Sequence, residues 1–480
     1  MHTLYWHDYE TWGIDPSIDR PCQFAGVRTD EDLNIIEEPL RLYCQPAADI
    51  LPNPEACLVT GIAPQKALQE GLVEAEFIAA IHQALAVPGT CGVGYNSLRF
   101  DDEVTRFTLY RNFYDPYERE WKNGNSRWDI LDMLRLVHAL KPETLNWPEW
   151  EGRVSFKLEL LTKANGIEHG AAHDAYSDVA ATIALAKLIK TRQPKLYDYC
   201  YNLRFKHAVS AHIDLQQKKP LFHVSSKFPI EQGNAALVMP LCYHPVNKNA
   251  VLVVNLAQDP DEWIHLSAEE LAERLFTPQT QTSPPRPGIK AIHLNKCPIV
   301  ATPKLLDEQT QARLGIDKQV CENHWQRLKQ LDLTAKLQAT FSMSTFAPRE
   351  DPERKLYEGF LPTADMQLAK QLRTAQPHDI SADHYKFSDK RLQALMLRYK
   401  ARNYPHALSA LEHEQWFEFC HARLSDGEPG ILSWDQLKMR IREIDATQEL
   451  TKEQKIVLQQ LYRYAEDLAV TFRLKPKCCW

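Results

Sequence analysis

Residues 4–10 read LYWHDYE, an apolar and aromatic run that ends in two carboxylates. Residues of this kind fit a strand. Strand side chains alternate between faces, so Asp8 and Glu10 point the same way. Two carboxylates side by side repel unless a cation sits between them. Hard divalent ions such as Mg²⁺ take oxygen ligands of this type. By itself the D-x-E pair fits an exposed strand as well as a metal site, so its meaning depends on partners elsewhere in the chain.

Working outward, strand-like runs at 24–28 and 40–44 complete a meander with the first. Helical spacing marks 75–86, through Phe77, Ile78, Ile81 and Leu85. A short strand at 90–95 follows, then helices at 104–113, 130–140 and 175–189. The last is expected to turn Val179, Ile183, Ala186 and Leu188 inward. Strands alternating with helices predict an α/β layered fold.

Two further acidic elements lie within these segments. Residues 94–103 read GYNSLRFDDE, where Asn96 is placed to cap a turn and Asp101 opens a helix. An aspartate in a first turn also complements the helix dipole. Phe100 offers an apolar wall against which a base or sugar can pack. Residues 173–183 read HDAYSDVAATI, with Asp174 as the expected N-cap and Asp178 one turn inside an Ala-rich helix. A carboxylate facing a core stripe is costly unless paired or bound to metal. His173, just ahead of that helix, is placed to act as a general base.

The remainder of the 480-residue chain changes character twice. Strand-like runs at 221–225, 235–240, 250–254 and 290–293, separated by Pro/Thr/Gln-rich spacers such as 277–288, predict a smaller β-rich domain. The polar stretch 346–354, FAPREDPER, reads as a linker. Beyond it, 367–373, 390–400, 408–424 and 452–472 predict a helical domain. The domains are thus expected at 1–190, 195–346 and 350–480.

Composition is that of an ordinary globular protein, 44% hydrophobic and 25% charged. The N-terminus lacks a basic region followed by an apolar one, and no long apolar run is present, which predicts a cytoplasmic protein without a membrane span. The 11 cysteines form no C-x-x-C pair and read as reduced, buried thiols; Cys478 and Cys479 carry no functional reading. The net charge of -7 argues against a protein that coats DNA. Between Lys187 and Lys219, however, eight Lys/Arg face two acids. That strip is either a solvated face or a track for a phosphate backbone.

Taken together, D-x-E, N-x-x-x-F-D and H-x-x-x-x-D, spaced by about 90 and about 75 residues, resemble the DEDD exonuclease superfamily. That superfamily has an RNase-H-like fold, and the histidine at 173 resembles its histidine subgroup. HDYETWG, DRPCQFAGVRTD, YRNFYDPY, NSRWDILDMLR, LTKANGIEH, KPLFHVS, AIHLNKCP, RLGIDKQ, LYEGF and YKARNYP extend the likeness to bacterial exonuclease I over essentially the whole chain. The resemblance implies an exonuclease domain, an SH3-like β-rich domain and a helical C-terminal domain around a groove for single-stranded DNA. It implies 3′→5′ hydrolysis of single-stranded DNA to 5′-mononucleotides in DNA repair and recombination. Two Mg²⁺ ions, for which Mn²⁺ can substitute, are expected on Asp8, Glu10, Asp101 and Asp178, with His173 as base and Glu10 also touching substrate. A monomer is implied, as is docking of the C-terminal tail of single-strand-binding protein.

Candidate substrate contacts follow. Lys157, in SFKL at 155–158, matches a basic residue that the family places near the scissile phosphate. Aromatics and cations interleave from Tyr110 to Trp128, an array suited to unpaired bases. From it the resemblance selects Arg106, Tyr117, Trp121 and Arg135. The basic strip adds Tyr199 and Lys206, and the second domain adds Asn249, Lys290 and Asn295. Two alternatives stand beside this reading: an exoribonuclease of the same superfamily, disfavoured by the long extension past the first domain, and a non-catalytic single-strand-binding protein, disfavoured because all four acids and the histidine are present.

Overall fold

The first strand, β1 (Thr3–Thr11), is buried along nearly its whole length, as a central strand covered on both faces must be. It pairs antiparallel with β2 (Pro21–Thr29), Asp8 opposite Ala25 and Glu10 opposite Gln23. Next, β2 pairs antiparallel with β3 (Leu40–Tyr43), which completes the expected meander. On its other side β1 runs parallel to β4 (Thr90–Gly94). The order β3-β2-β1-β4 places the D-x-E strand in the interior of the sheet. This computed structural model describes residues 2–170, 173–278, 280, 283–343 and 349–475. Cys478, Cys479, the start of the expected linker and part of the 277–288 spacer lie outside the described residues.

By compactness the chain divides into two units, one of residues 1–126, 169–180 and 349–480 and the other of 127–168 and 181–348. In the first, helix Glu74–Leu85 seats Phe77, Ile78, Ile81 and Leu85 against Tyr9 and Phe24 of the sheet. The Tyr9 and Phe24 rings meet edge to face at 4.8 Å, a preferred aromatic geometry. Helix Pro54–Thr60 starts on an Asn53 cap and ends on left-handed Gly61. Its Cys57 joins Trp12, Cys22 and Leu51 in one core with Trp416, Leu437 and Leu461. Those last residues lie on helices Ala410–Asp426, Trp434–Thr447 and Lys452–Thr471, each opened by a capping box. Trp434–Thr447 was not expected from periodicity, although its Ser433–Gln436 box is written in the sequence.

The end of the stretch read as a linker, 351–354, is an ordered and charged turn that carries one buried carboxylate into the interior. Glu353 is 5% exposed and bonds Arg20 at 2.5 Å and Arg402 at 2.5 Å. Asp351 pairs with Arg398 at 2.7 Å and with Arg423. Asp49, 0% exposed, takes Arg402 through two bonds of 2.9 and 2.6 Å and Arg423 through one of 2.9 Å. Burial alone would raise the Asp49 carboxyl, yet Arg402, with Arg423 and Arg20 behind it, holds it below the usual range. Glu353 behaves likewise: burial is outweighed by Arg20, Arg402 and Arg398.

The second unit contains an antiparallel five-stranded sheet whose spatial order is Ile289–His293, Ala250–Asn255, Ala235–Tyr243, Leu221–Val224 and Ile299–Ala301. The last strand was not expected from the sequence. Pro240 sits in a buried strand without an N–H to give; it lies opposite Val253, at a register shift between Leu252 and Val253. A bulge is where a sheet tolerates proline. Helices Ala268–Phe276, Lys318–Leu328 and Thr334–Ser342 accompany this sheet.

Helix Ala175–Arg192 runs three residues past its expected end. Val179, Ile183 and Ala186 are buried as read, but Leu188 is half-exposed, and Leu185 and Ile189 take the inner positions. The cysteines from Cys22 to Cys420 are buried and unbridged. Among the described residues no helix is long and apolar enough to cross a membrane.

Candidate active site

Three elements of the first unit converge on the β1 acids. Glu10 is buried and Asp8 half-buried on the same face of the strand. Asp101 heads helix Asp101–Arg111 and is 3% exposed; its Oδ1 accepts the Tyr9 N–H at 3.0 Å, which fixes it against β1 between the two acids. The turn before it works differently from the sequence reading. Asn96 makes no side-chain cap and instead takes a left-handed φ of 60°, a conformation that Asn tolerates. Phe100 is half-buried and packs one side against the Phe77–Ile81 core.

Asp174 caps the third element as expected, accepting the Ser177 N–H at 3.2 Å. One turn on, Asp178 Oδ1 lies 2.5 Å from His169 Nε2. His173 is exposed at a left-handed φ of 64°. Ligand atoms of Glu10, His173 and Asp178 all lie within 4.8 Å of one another. The sequence reading missed His169, although two histidines within nine residues of Asp178 are visible in GIEHGAAHD.

The electrostatics are those of a site that wants a cation. Burial, and then Asp101, Glu10 and Asp178, push the Asp8 carboxyl well above the usual range. Burial, then Asp178 and Asp101, push Glu10 up to about 9. Asp178 is raised by burial against the pull of His169. Clustered buried acids without a counter-charge are costly. Oxygen ligands at this spacing fit hard divalent ions.

The candidate substrate contacts divide by their surroundings. Trp121 is 65% exposed, its ring free to stack. Tyr117 is half-buried, edge-on to Phe360 at 6.0 Å. Arg106 does not face solvent: it is 7% exposed and bonded to Glu120, Glu103 and Tyr357. Other members of the interleaved array are likewise interior. Tyr110 and Trp128 are core, and Arg111 and Arg119 are paired with Glu74 and Asp102. Arg106, Arg111 and Arg119 thus serve buried ion pairs.

In the second unit, Lys157 is exposed, its Nζ 4.9 Å above the Trp150 ring. Arg135 is paired with Asp132 and lies over Phe156 at 5.6 Å. Tyr199 is half-buried and donates to the Val300 carbonyl at 2.6 Å. Lys206 and Asn249, selected separately from the sequence, come together: both are on the surface, with Nζ donating to Oδ1 at 2.5 Å. Lys290 Nζ is 2.9 Å from His223 Nε2. Asn295 is exposed.

Comparison with known proteins adds to this geometry. Residues 5–186 match the family model described as Exonuclease, 204–343 that of the Exonuclease I SH3-like domain and 350–468 that of the Exonuclease I C-terminal domain. Exodeoxyribonuclease I of Escherichia coli strain K12 is 45% identical over 471 residues, covering 97% of this chain and 98% of that protein. Escherichia coli Exonuclease I solved with a dA16 oligonucleotide superposes with a TM-score of 0.92 at 44% identity, over 98% of this chain and 100% of that one. A solved ExoI/SSB-Ct complex gives 0.90 at 43% identity, over 98% and 99%.

Proposed function

The chain belongs to the exonuclease I family, and from that premise we propose how its residues work. It is a 3′→5′ exodeoxyribonuclease that degrades single-stranded DNA to 5′-mononucleotides, in DNA repair and recombination. The observation that carries the mechanism is the meeting of Glu10, Asp178 and His173 within 4.8 Å beside Asp8 and Asp101. Asp8, Glu10 and Asp178 would hold one Mg²⁺, and Asp8 with Asp101 would hold a second. When bound, these ions, or Mn²⁺ in their place, neutralise the scissile phosphate and acidify the attacking water. A ring nitrogen of His173 would take the attacking water's proton as its oxygen bonds phosphorus; the bond to the 3′ oxygen breaks and that oxygen leaves as a hydroxyl, its proton drawn from solvent. His169 orients Asp178 from behind.

Lys157 is proposed as a phosphate contact, and the exposed pair Lys206 and Asn249 as a backbone contact in the β-rich domain. Partners are single-stranded DNA and the C-terminal tail of single-strand-binding protein, which has the chemistry of an acidic peptide. The domains are taken as 1–190, 195–346 and 350–480, and the protein as a cytoplasmic monomer.

Digestion of 3′-labelled and 5′-labelled single strands, of RNA and of blunt duplex tests the reading. Immediate mononucleotide release from 3′-labelled single-stranded DNA, abolished by EDTA, is expected. Release from RNA but not DNA would replace it with an exoribonuclease, and tight binding without cleavage would leave a binding protein.

Trp121→Ala is expected to weaken single-strand affinity by about 1–3 kcal/mol, the worth of one stacked base. Fluorescence anisotropy with a labelled oligonucleotide in EDTA measures this. An unchanged affinity would remove Trp121 from the substrate path. Because the side chain is 65% exposed, the melting temperature should not move.

A further inference from the structure

Gln23 makes no contact that the mechanism above uses, yet it joins two of the elements that carry the acids. It is the cross-strand partner of Glu10, so the two side chains share a face of the sheet. It is 7% exposed. Its Nε2 donates to Asp174 Oδ1 at 3.0 Å, and its Oε1 accepts the Ala175 N–H at 3.2 Å. A single amide therefore grips both the capping side chain and the first backbone N–H of the helix that bears Asp178. The amide is itself braced: Nε2 also donates to the Tyr43 hydroxyl at 3.2 Å, and Lys66 lies over the Tyr43 ring at 4.6 Å. A second clasp runs from the same edge, where the Arg41 guanidinium lies 3.4 Å above the ring of Tyr176, the next residue of that helix.

We propose that Gln23 is a positioning residue which sets the separation of Glu10 and Asp178, and so the affinity of the site for its divalent ions. The proposal rests on the metal-site reading above. The argument is geometric. Asp8 and Glu10 are fixed by the sheet, whereas Asp178 sits on a helix whose first turn would otherwise be held to the sheet by packing and the Arg41–Tyr176 contact, without a hydrogen bond from Gln23. Hydrogen bonds are directional where packing is not, and Gln23 spends both ends of its amide on this one junction. The four acids repel one another, so without a tether the helix start would relax outward and widen the cage. Groups behind metal ligands typically contribute a factor of ten to a hundred in affinity.

Direct Mn²⁺ binding, followed by the loss of the free-ion paramagnetic resonance signal, tests this in the full-length protein. Gln23→Met keeps the side-chain length and removes both polar ends; Tyr43→Phe removes only the outer brace. Expected are Mn²⁺ affinities lowered about 10–100-fold for Gln23→Met and by less for Tyr43→Phe. At saturating Mn²⁺ the turnover number of both should return toward wild type, and oligonucleotide affinity in EDTA should not change. If Gln23→Met does not fold, Tyr43→Phe still carries the comparison. Mn²⁺ titrations of both variants that overlay the wild type would overturn the positioning role. A wild-type protein that binds Mn²⁺ no better than Asp178→Ala would instead overturn the metal-site reading beneath it.

Discussion

Asp8→Asn is expected to lower mononucleotide release from single-stranded DNA by at least about a thousand-fold and, in the same protein, to raise the melting temperature measured in EDTA at pH 7. The first effect follows from shared ligation: Asp8 is placed to serve both ions, and losing several kcal/mol of transition-state stabilisation corresponds to a factor of this size. The second follows from the sign of the charge clash. Burial and four neighbouring acids hold the Asp8 carboxyl well above its ordinary range. A carboxyl raised in the folded state costs stability wherever pH exceeds its unfolded value near 4, and the cost vanishes below that value. Asparagine carries no charge at either pH, so the gain should be present at pH 7 and absent at pH 4. Calorimetry in EDTA at both values reads it directly. Equal melting temperatures at pH 7 would mean that the acids are not crowded as the structure has them.

The second large effect concerns stability alone. Asp49→Ala is expected to destabilise the first unit by about 3–5 kcal/mol, because it strands two buried guanidinium groups, Arg402 and Arg423. The pH dependence has the opposite sign to that at Asp8. Asp49 and Glu353 are held below the usual carboxylate range, so the stability they contribute is fully present above about pH 4 and is lost as pH falls through their lowered values. Wild type should therefore lose urea resistance steeply below pH 4, and Asp49→Ala should lose less. Parallel pH profiles for the two proteins would count against the network.

The elements that carry chemistry were legible because they are short-range patterns. Asp8 and Glu10 share a strand face, Asp101 opens a helix, and Asp174 caps the helix that bears Asp178; each is a statement about neighbours in sequence. What escaped the sequence reading is long-range. Residues 349–354 look like a polar linker because Asp, Glu and Arg are surface residues by habit, and nothing local reveals that Glu353 meets Arg20, 333 residues away. Arg106, which the resemblance selected as a DNA contact, has long-range partners of the same kind, since Tyr357 lies 251 residues away. Nothing local marked Gln23 as a tether, since the helix residues it holds, Asp174 and Ala175, lie 151 and 152 residues further on. Trp434–Thr447 was missed even though its cap is a recognisable box.

The first unit draws on both ends of the chain, and this has a consequence for how the protein is made. Asp49 and Arg402 are 353 residues apart. A ribosome adding roughly 5–20 residues per second needs about 20–70 s to cover that distance. For all of that interval the nascent chain carries Trp12, Cys22, Leu51 and Cys57 without the helices that cover them, and Asp49 without its guanidinium partners. A strand-rich segment exposed this long is a natural client for holding chaperones. A polypeptide interrupted before Arg402 contains every proposed catalytic residue and still cannot close the core behind them, so premature termination late in synthesis should yield an insoluble fragment rather than an unregulated nuclease.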